Sequence, residues 1–249
     1  MTSLIPPKII IFIPTRNTAT TLKKTYQRIP ECIRAHATFI VVDNASSDSS
    51  VAVAHELGLP VIQHEKDRGY GGSNKTAFDY AQSIGADILV VLHSDCQYDP
   101  RIMNQLLAPV IAGEADVVFG SRIMGGGAMK GGMPWWKYIA NRFLTWIENR
   151  ATGGQLSEYH SGYRIYTMNV LKRIAYNHNS DNWIFDSEII FQIINAGFSI
   201  KEVPIPTTYS GPISSISFFT GVVYGLSIFW LILKFKLHQW NIIQQKQFR

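Results

Sequence analysis

Cysteine is scarce in this 249-residue chain, and its two copies, Cys32 and Cys96, stand far apart in unrelated contexts. They form neither a CxxC motif nor a disulfide framework, so a reducing, cytoplasmic setting is expected. Charge is also thin, at 16% of residues against 46% hydrophobic, which is enough apolar mass for one large core or two modest ones. No basic segment leads into an apolar run between Met1 and Lys8, so no signal peptide is expected. There are no internal repeats and no low-complexity linker. Acids are missing from the last sixteen residues, where Lys234, Lys236, Lys246 and Arg249 supply most of the net charge of +5. Just before them, Val203 to Leu233 carries no charge of either sign.

That pairing of an apolar stretch with a basic tail suggests a membrane surface. A spanning helix needs about 20 apolar residues, and Phe218 to Leu233 is diluted by Thr220, Gly221, Tyr224, Gly225 and Ser227. The expectation is a helix lying in or dipping into the interface, with Lys234 and Lys236 near anionic headgroups. A buried core helix or a homo-oligomer contact is the alternative. Nucleic acid is not expected as a partner, because the basic residues cluster beside apolar helix rather than among exposed aromatics.

Strand and helix signals alternate along the rest of the chain. Strands are predicted at Ile9 to Ile13, Thr38 to Val42, Val61 to Ile62, Ile88 to Leu92 and Val117 to Phe119. Helices are predicted at Thr20 to Ile33, Ser50 to Leu57, Ser73 to Ile84, around Ile102, Leu106 and Val110, and at Trp135 to Asn149. This alternation implies an α/β fold with a mainly parallel, doubly wound sheet flanked by helices. Polar loops after the strands, Pro14 to Asn17, Asp43 to Asp48 and His93 to Gln97, should then gather on one edge.

The third of these loops carries metal-capable side chains. If extension continued past Leu92, then His93, Asp95 and Gln97 would share one side and could hold a divalent cation. The alternative is a solvated polar loop. In Asp67 to Thr76, a glycine-rich turn runs into a helix whose amides could face an anion. A P-loop requires glycine before the lysine, and Asn74 stands there before Lys75. A third glycine for a dinucleotide fingerprint is also missing, so a tight turn is the default. Met124 to Met133, with its run of glycines, is either a lid or a disordered loop.

Taken in order, these motifs resemble the family 2 glycosyltransferases of GT-A fold, in particular the polyprenyl-phosphate and dolichyl-phosphate sugar synthases, from about Ile9 to Ser217. Ile13-Pro14-Thr15-Arg16-Asn17 resembles the opening strand motif, and Val42-Asp43-Asn44-Ala45-Ser46-Ser47-Asp48 the nucleotide-binding loop. Arg68-Gly69-Tyr70-Gly71 is similar to the glycine-rich segment. His93-Ser94-Asp95-Cys96-Gln97 matches an Asp-x-Asp-x-Gln metal motif with His in place of the first Asp. Gly120-Ser121-Arg122 and Ser161-Gly162-Tyr163-Arg164 resemble two further signatures of the polyprenyl-phosphate branch.

The resemblance implies a GT-A domain over 1–212 and a membrane-associated helical segment with a basic tail over 213–249. It implies a donor site at Pro14, Arg16, Asn17, Asp43, Asn44, Gly71, Lys75, Ser94 and Asp95. Mg²⁺ or Mn²⁺ would sit on Asp95 and Gln97, with His93 either a ligand or a diphosphate contact. Asp48 is divided between nucleotide contact and turn or cap duty.

The implied activity is inverting transfer of a hexose from a GDP- or UDP-linked donor to a polyprenyl phosphate at the cytoplasmic face of the membrane. Arg122, Arg142 and Arg164 are candidates to position the phosphate, since guanidinium matches it bidentately. Arg142 could equally be a surface arginine. Asp186 is a candidate base for a hydroxyl acceptor, although a helix N-cap is the slightly favoured use; Glu158 and His160 are weaker candidates. Transfer to a sugar hydroxyl, and a noncatalytic nucleotide-sugar or lipid-binding module, are the competing functions.

Overall fold

A computed structural model describes residues 6–209 and 218–249. The expected boundary at 212/213 falls outside the described residues. The strands are β1 Ile9–Thr15, β2 Thr38–Asp43, β3 Val61–Gln63, β4 Ile88–Val91, β5 Val117–Ser121, β6 Arg164–Thr167 and β7 Ile200–Pro204. The helices are α1 Ala19–Gln27, α2 Glu31–Arg34, α3 Ser50–Glu56, α4 Gly69–Ser83, α5 Met103–Ile111, α6 Gly127–Lys130, α7 Trp135–Thr152, α8 Met168–Arg173, α9 Phe185–Asn195 and α10 Phe218–Gln239.

The strands form one sheet in the order β3-β2-β1-β4-β6-β5-β7. β1, β2, β3 and β4 pair in parallel, as do β5 and β7. β6 lies antiparallel between β4 and β5. The sheet is thus mainly parallel, with one reversed strand that the sequence did not announce: β6 is four residues long, opens on an arginine and lacks an apolar run. A buried cluster lies on each face of the sheet, one around Phe12, Phe78, Phe185 and Phe191, the other around Ile11, Leu106 and Tyr163.

Two helices differ from expectation. The span Thr20 to Ile33 is broken into α1 and α2 because Pro30, which has no N–H to continue a helix, sits at the N-cap of α2. α4 begins at Gly69, four residues earlier than Ser73, so the glycine-rich stretch is its first turn. Met124 to Met133 is a folded turn with α6, in which Ile123, Ala128 and Met133 pack together and the Ala128 amide donates to the Arg122 carbonyl at 2.6 Å.

α7 is turned inside out. Its buried residues include Asn141, Thr145 and Glu148, while Trp135, Trp136, Ile139, Phe143 and Trp146 are exposed, Trp135 by 68% and Trp146 by 60%. α10 packs beside it, burying Ile228, Leu231 and Phe235 and exposing Val222, Val223, Leu226, Phe229 and Trp230. By length and composition, Thr220–Gln239 is long and apolar enough to cross a membrane. Yet the chain turns back after α10 and buries Phe248 against Phe235, 5.1 Å between ring centroids, while the Gln192 side-chain amide donates to the Gln247 carbonyl at 2.7 Å. Lys234, expected near headgroups, instead faces Glu188 at 3.6 Å on α9, because it lies on the stripe of α10 that packs against the domain.

Candidate active site

The loops after β1, β2 and β4 meet at the carboxyl edge of the sheet, as the alternation required. Ser94 joins two of them: its hydroxyl donates to the Pro14 carbonyl at 2.9 Å and lies 3.0 Å from the Thr18 hydroxyl. Asn17, at φ 52°, accepts the Ser47 amide at 2.9 Å through its side chain, tying the first loop to the second. Asp43 is fully buried; one carboxylate oxygen accepts the Ser46 amide at 3.1 Å and the other has no partner. Asn44 donates to Asp67 at 2.6 Å and accepts from the Arg68 amide at 2.8 Å, and Arg16 pairs with the same Asp67. The Gly69 amide, followed by Asn44 and Arg16, holds the Asp67 carboxyl below its ordinary pKa. Asp48 accepts from the Ala19 amide at 3.1 Å and the Ser50 amide at 2.9 Å, which ties together the first turns of α1 and α3.

Gly71 and Lys75 do not join this group. The Gly71 amide donates to the Asp181 carbonyl at 2.7 Å, and the Lys75 ammonium pairs with the Asp181 carboxylate at 2.7 Å. The protein's own segment takes the place in which an external anion was expected. A Cβ at Gly71 would collide with the Ser180 carbonyl, so glycine is required there for helix packing.

Extension stops at Val91, so His93, Asp95 and Gln97 do not line one face of a strand. Asp95 accepts the Gln97 amide at 2.9 Å in a side-chain turn, and Cys96 adopts φ 59°. Asp95 is partly exposed. The His93 ring lies between Tyr70 and Tyr98, at 5.6 and 5.7 Å. Its Nε2 is buried without a hydrogen-bond partner and faces Gly162, where any Cβ would strike it. Burial pushes the imidazole pKa down against the pull of Asp95 and Asp186, so the ring is neutral. Among the described residues no three His, Cys, Asp or Glu side chains converge as a metal cage. A partly exposed carboxylate without a cage suits Mg²⁺ or Mn²⁺ shared with phosphates and does not suit an all-protein site.

Two of the three arginines expected to bind phosphate point inward. Arg122, 8% exposed, pairs with buried Glu158 and donates to the His160 carbonyl at 2.8 Å and the Tyr209 hydroxyl at 3.1 Å. Arg164, 1% exposed, donates to the carbonyls of Ser161 at 2.7 Å and Tyr159 at 2.8 Å and pairs with Asp186 at 3.1 Å. Together they clamp the segment 157–163. Arg142 is exposed, with its nearest partner the Ser157 carbonyl at 3.4 Å.

Asp186 caps nothing, since α9 has no side-chain cap and the carboxylate instead meets Arg164 and the Tyr70 hydroxyl, the latter at 3.1 Å. Burial raises its pKa, opposed by Arg164 and then His93.

With this geometry in place, comparison with known proteins is decisive: a family model described as "Glycosyl transferase family 2" matches residues 10–175. The chain belongs to glycosyl transferase family 2. It is similar to the polyprenol monophosphomannose synthase of Mycolicibacterium smegmatis, 30% identical over 209 residues that cover 81% of this chain and 77% of that protein. It is also similar to the UDP-N-acetylglucosamine–dolichyl-phosphate N-acetylglucosaminyltransferase of Methanococcus voltae, 26% identical over 246 residues, 92% of this chain and 96% of that one. Among solved structures, glucosyl-3-phosphoglycerate synthase from Mycobacterium tuberculosis, crystallised with Mn²⁺, UDP and phosphoglyceric acid, shares the fold. The TM-score is 0.73 at 15% identity, covering 93% of this chain and 79% of that one. The GT-A architecture expected from the motifs is therefore the observed one.

Several residues of this family 2 glycosyltransferase carry no sequence signal of their role. Tyr70 stacks on Trp183 at 4.8 Å while holding Asp186, and Tyr98 accepts the Gly162 amide at 2.9 Å. Lys137, on the first turns of α7, lies near enough to Arg122 that burial and this neighbour lower its pKa. Only its position after Trp135-Trp136 at a helix start could have marked it.

Proposed function

We propose that this enzyme transfers a hexose, with inversion, from a GDP- or UDP-linked donor to a polyprenyl (dolichyl) phosphate, on the cytoplasmic face of a membrane and with Mg²⁺ or Mn²⁺. One observation carries the lipid acceptor: α7 and α10, which pack against each other, both expose large apolar side chains, tryptophans among them. An apolar patch of this kind marks a protein or membrane contact, and tryptophans at a helix surface suit the headgroup region. The names of the M. smegmatis and M. voltae relatives support the same acceptor class. This reading keeps the division into 1–212 and 213–249, with α10 lying on the lipid beside α7.

Asp95, with Gln97 beside it, would hold the cation, which supplies charge neutralisation at the departing diphosphate. His93, with Nε2 against Gly162, serves as a neutral packing residue. Pro14, Arg16, Asn17, Asp43, Asn44 and Ser94 frame the nucleotide. A phosphate oxygen of the acceptor bonds to the anomeric carbon as the bond to the donor diphosphate breaks. The acceptor is already ionised near neutral pH, with a second pKa of about 6, so no general base is required. That agrees with an Asp186 already engaged by Arg164 and Tyr70. Arg164 and Arg122 act as positioning residues, and half-buried Lys137, near Arg122, is the cation offered to the acceptor phosphate.

The test measures sugar transfer from UDP- and GDP-hexoses to a short polyprenyl phosphate, with and without Mn²⁺. Transfer should vanish on chelation and fall about 100-fold or more in Asp95→Asn. Phe143→Ser and Trp146→Ser should each weaken vesicle binding roughly tenfold. Transfer only to a sugar hydroxyl would overturn the acceptor, and a donor neither hydrolysed nor transferred would favour a binding module.

A further inference from the structure

A second polar system lies beneath the site, and the chemistry above does not use it. Glu148 of α7 is fully buried, and its Oε2 lies 3.3 Å from His160 Nε2. On its other side the His160 ring meets α10, with Nδ1 3.0 Å from the Tyr224 hydroxyl. That hydroxyl also lies 3.3 Å from the Ser187 hydroxyl on α9, one residue beyond Asp186. His160 belongs to the clamped segment: Arg122 holds its carbonyl, and Arg164 holds the carbonyls of Tyr159 and Ser161. Tyr224 thus connects the helix with the exposed apolar face to the backbone that both arginines grip.

The contact is not an ordinary packed core. Both carboxylate oxygens of Glu148 and Nε2 of His160 are buried, and none is aligned for a hydrogen bond. Buried polar groups without partners are rare in folded proteins and need an explanation. Burial, opposed by the nearby Ser187 hydroxyl and then Arg164, holds the Glu148 carboxyl protonated, its pKa pushed up to about 8, and pushes the His160 imidazole down to about 3. Near neutral pH both are neutral, so a small shift of α10 or of 157–163 could convert the loose contact into an acid-to-imidazole hydrogen bond.

We propose that Glu148, His160 and Tyr224 form a positioning junction through which seating of α10 on a lipid surface fixes the segment 157–163 and so raises the transfer rate. The idea rests on the lipid-acceptor reading for its catalytic consequence, while the mechanical link stands on the contacts alone. Helix α10 has two differently loaded faces, one apolar and exposed, the other packed on the domain, where Tyr224 meets His160 of the arginine clamp through its hydroxyl and its ring. A lipid surface acts on the first and the second transmits its effect, as a two-state coupling between sites requires.

The experiment uses the full chain with Tyr224→Phe, which removes only the hydroxyl. Vesicles of phosphatidylcholine with phosphatidylglycerol supply the surface, and a short, water-soluble polyprenyl phosphate is the acceptor, so rates can be read with and without lipid. In the wild type, vesicles should raise kcat about tenfold, within the usual range of coupling between sites, without changing the donor KM. Tyr224→Phe should bind vesicles and donor as the wild type does, keep the lipid-free rate and lose most of that rise. Hydrogen exchange gives a readout independent of the acceptor: amides of 157–163 should gain protection on vesicle binding in the wild type and not in Tyr224→Phe. Should the wild type transfer to no lipid phosphate, the functional reading fails while exchange still judges the junction. Equal vesicle-induced protection in wild type and Tyr224→Phe, or none in the wild type, overturns it. A proportional fall of lipid-free and lipid-stimulated rates overturns it as well, because that is the mark of a merely structural contact.

Discussion

Arg164→Lys separates two roles for the most deeply buried cation of the site. The guanidinium spreads its donors over the Ser161, Tyr159 and Asp186 carbonyls at 2.7, 2.8 and 3.1 Å, pairs with the Asp186 carboxylate, and lies 5.0 Å from the Phe119 ring centre. An ammonium is a point charge with three donors and cannot reproduce that planar fork. At least one buried carbonyl then loses its partner, at about 1–3 kcal/mol. The ion pair is weakened as well, and complete loss of one partner of a buried pair costs about 3–5 kcal/mol. A combined loss of about 3–5 kcal/mol is expected, because the lysine retains part of the pairing. For a chain of this size each kcal/mol moves Tm by about 2–4 °C, so the melting point should fall by on the order of 10 °C. Calorimetry and urea unfolding followed by tryptophan fluorescence measure it. Replacing the pair together, Arg164→Met with Asp186→Leu, should recover much of the loss. A lysine variant that melts with the wild type yet transfers no sugar would refute the clamp and restore Arg164 to direct phosphate binding.

Two further outcomes follow from buried contacts. The folded pKa of Glu148 is raised from 4.5 to about 8, so its contribution to stability is fully present below about 4.5 and is lost as pH rises through about 8. Glu148→Gln does not titrate and should therefore gain on the wild type as pH rises across that window, by at most about 1.4 kcal/mol per unit; parallel Tm–pH curves for the two proteins would disprove a protonated Glu148. Gly162→Ala places a methyl against His93 Nε2, and overpacking of this kind costs about 1–3 kcal/mol. Adding His93→Ser should restore most of the lost Tm, and an equal loss in single and double variants would show that the ring does not occupy that space.

Strand-helix alternation and the order of the polar loops were legible in the sequence because both are local. Periodicity and strand-end polarity specified β1, β2, β4 and β5 and brought Pro14, Asp43, Ser94 and Asp95 to one sheet edge. The antiparallel β6 was not legible, since Arg164–Thr167 is defined by its neighbours β4 and β5 rather than by its own pattern. His93 is similar: a metal-like spacing marked it, but the turn closed by Asp95 and the approach of Gly162, 69 residues onward, decided where its ring points.

The sequence by itself determined the family, the layered α/β architecture and an apolar C-terminal stretch, uncharged from Val203 to Leu233. Tertiary structure alone decided which way the functional side chains face. In the sequence Trp136, Ile139, Ala140, Phe143 and Ile147 of α7 fall at helical spacing, yet spacing says only that residues share a side, and the buried Glu148, Asn141 and Thr145 beside the exposed Trp136, Ile139 and Phe143 show that this side turns outward. Arg122 and Arg164 carried the chemistry of phosphate ligands in the sequence. Glu158 and Asp186, distant in the chain and adjacent in the fold, made them the inner framework of the site, because a buried guanidinium must satisfy its donors with whatever acceptors the fold brings near.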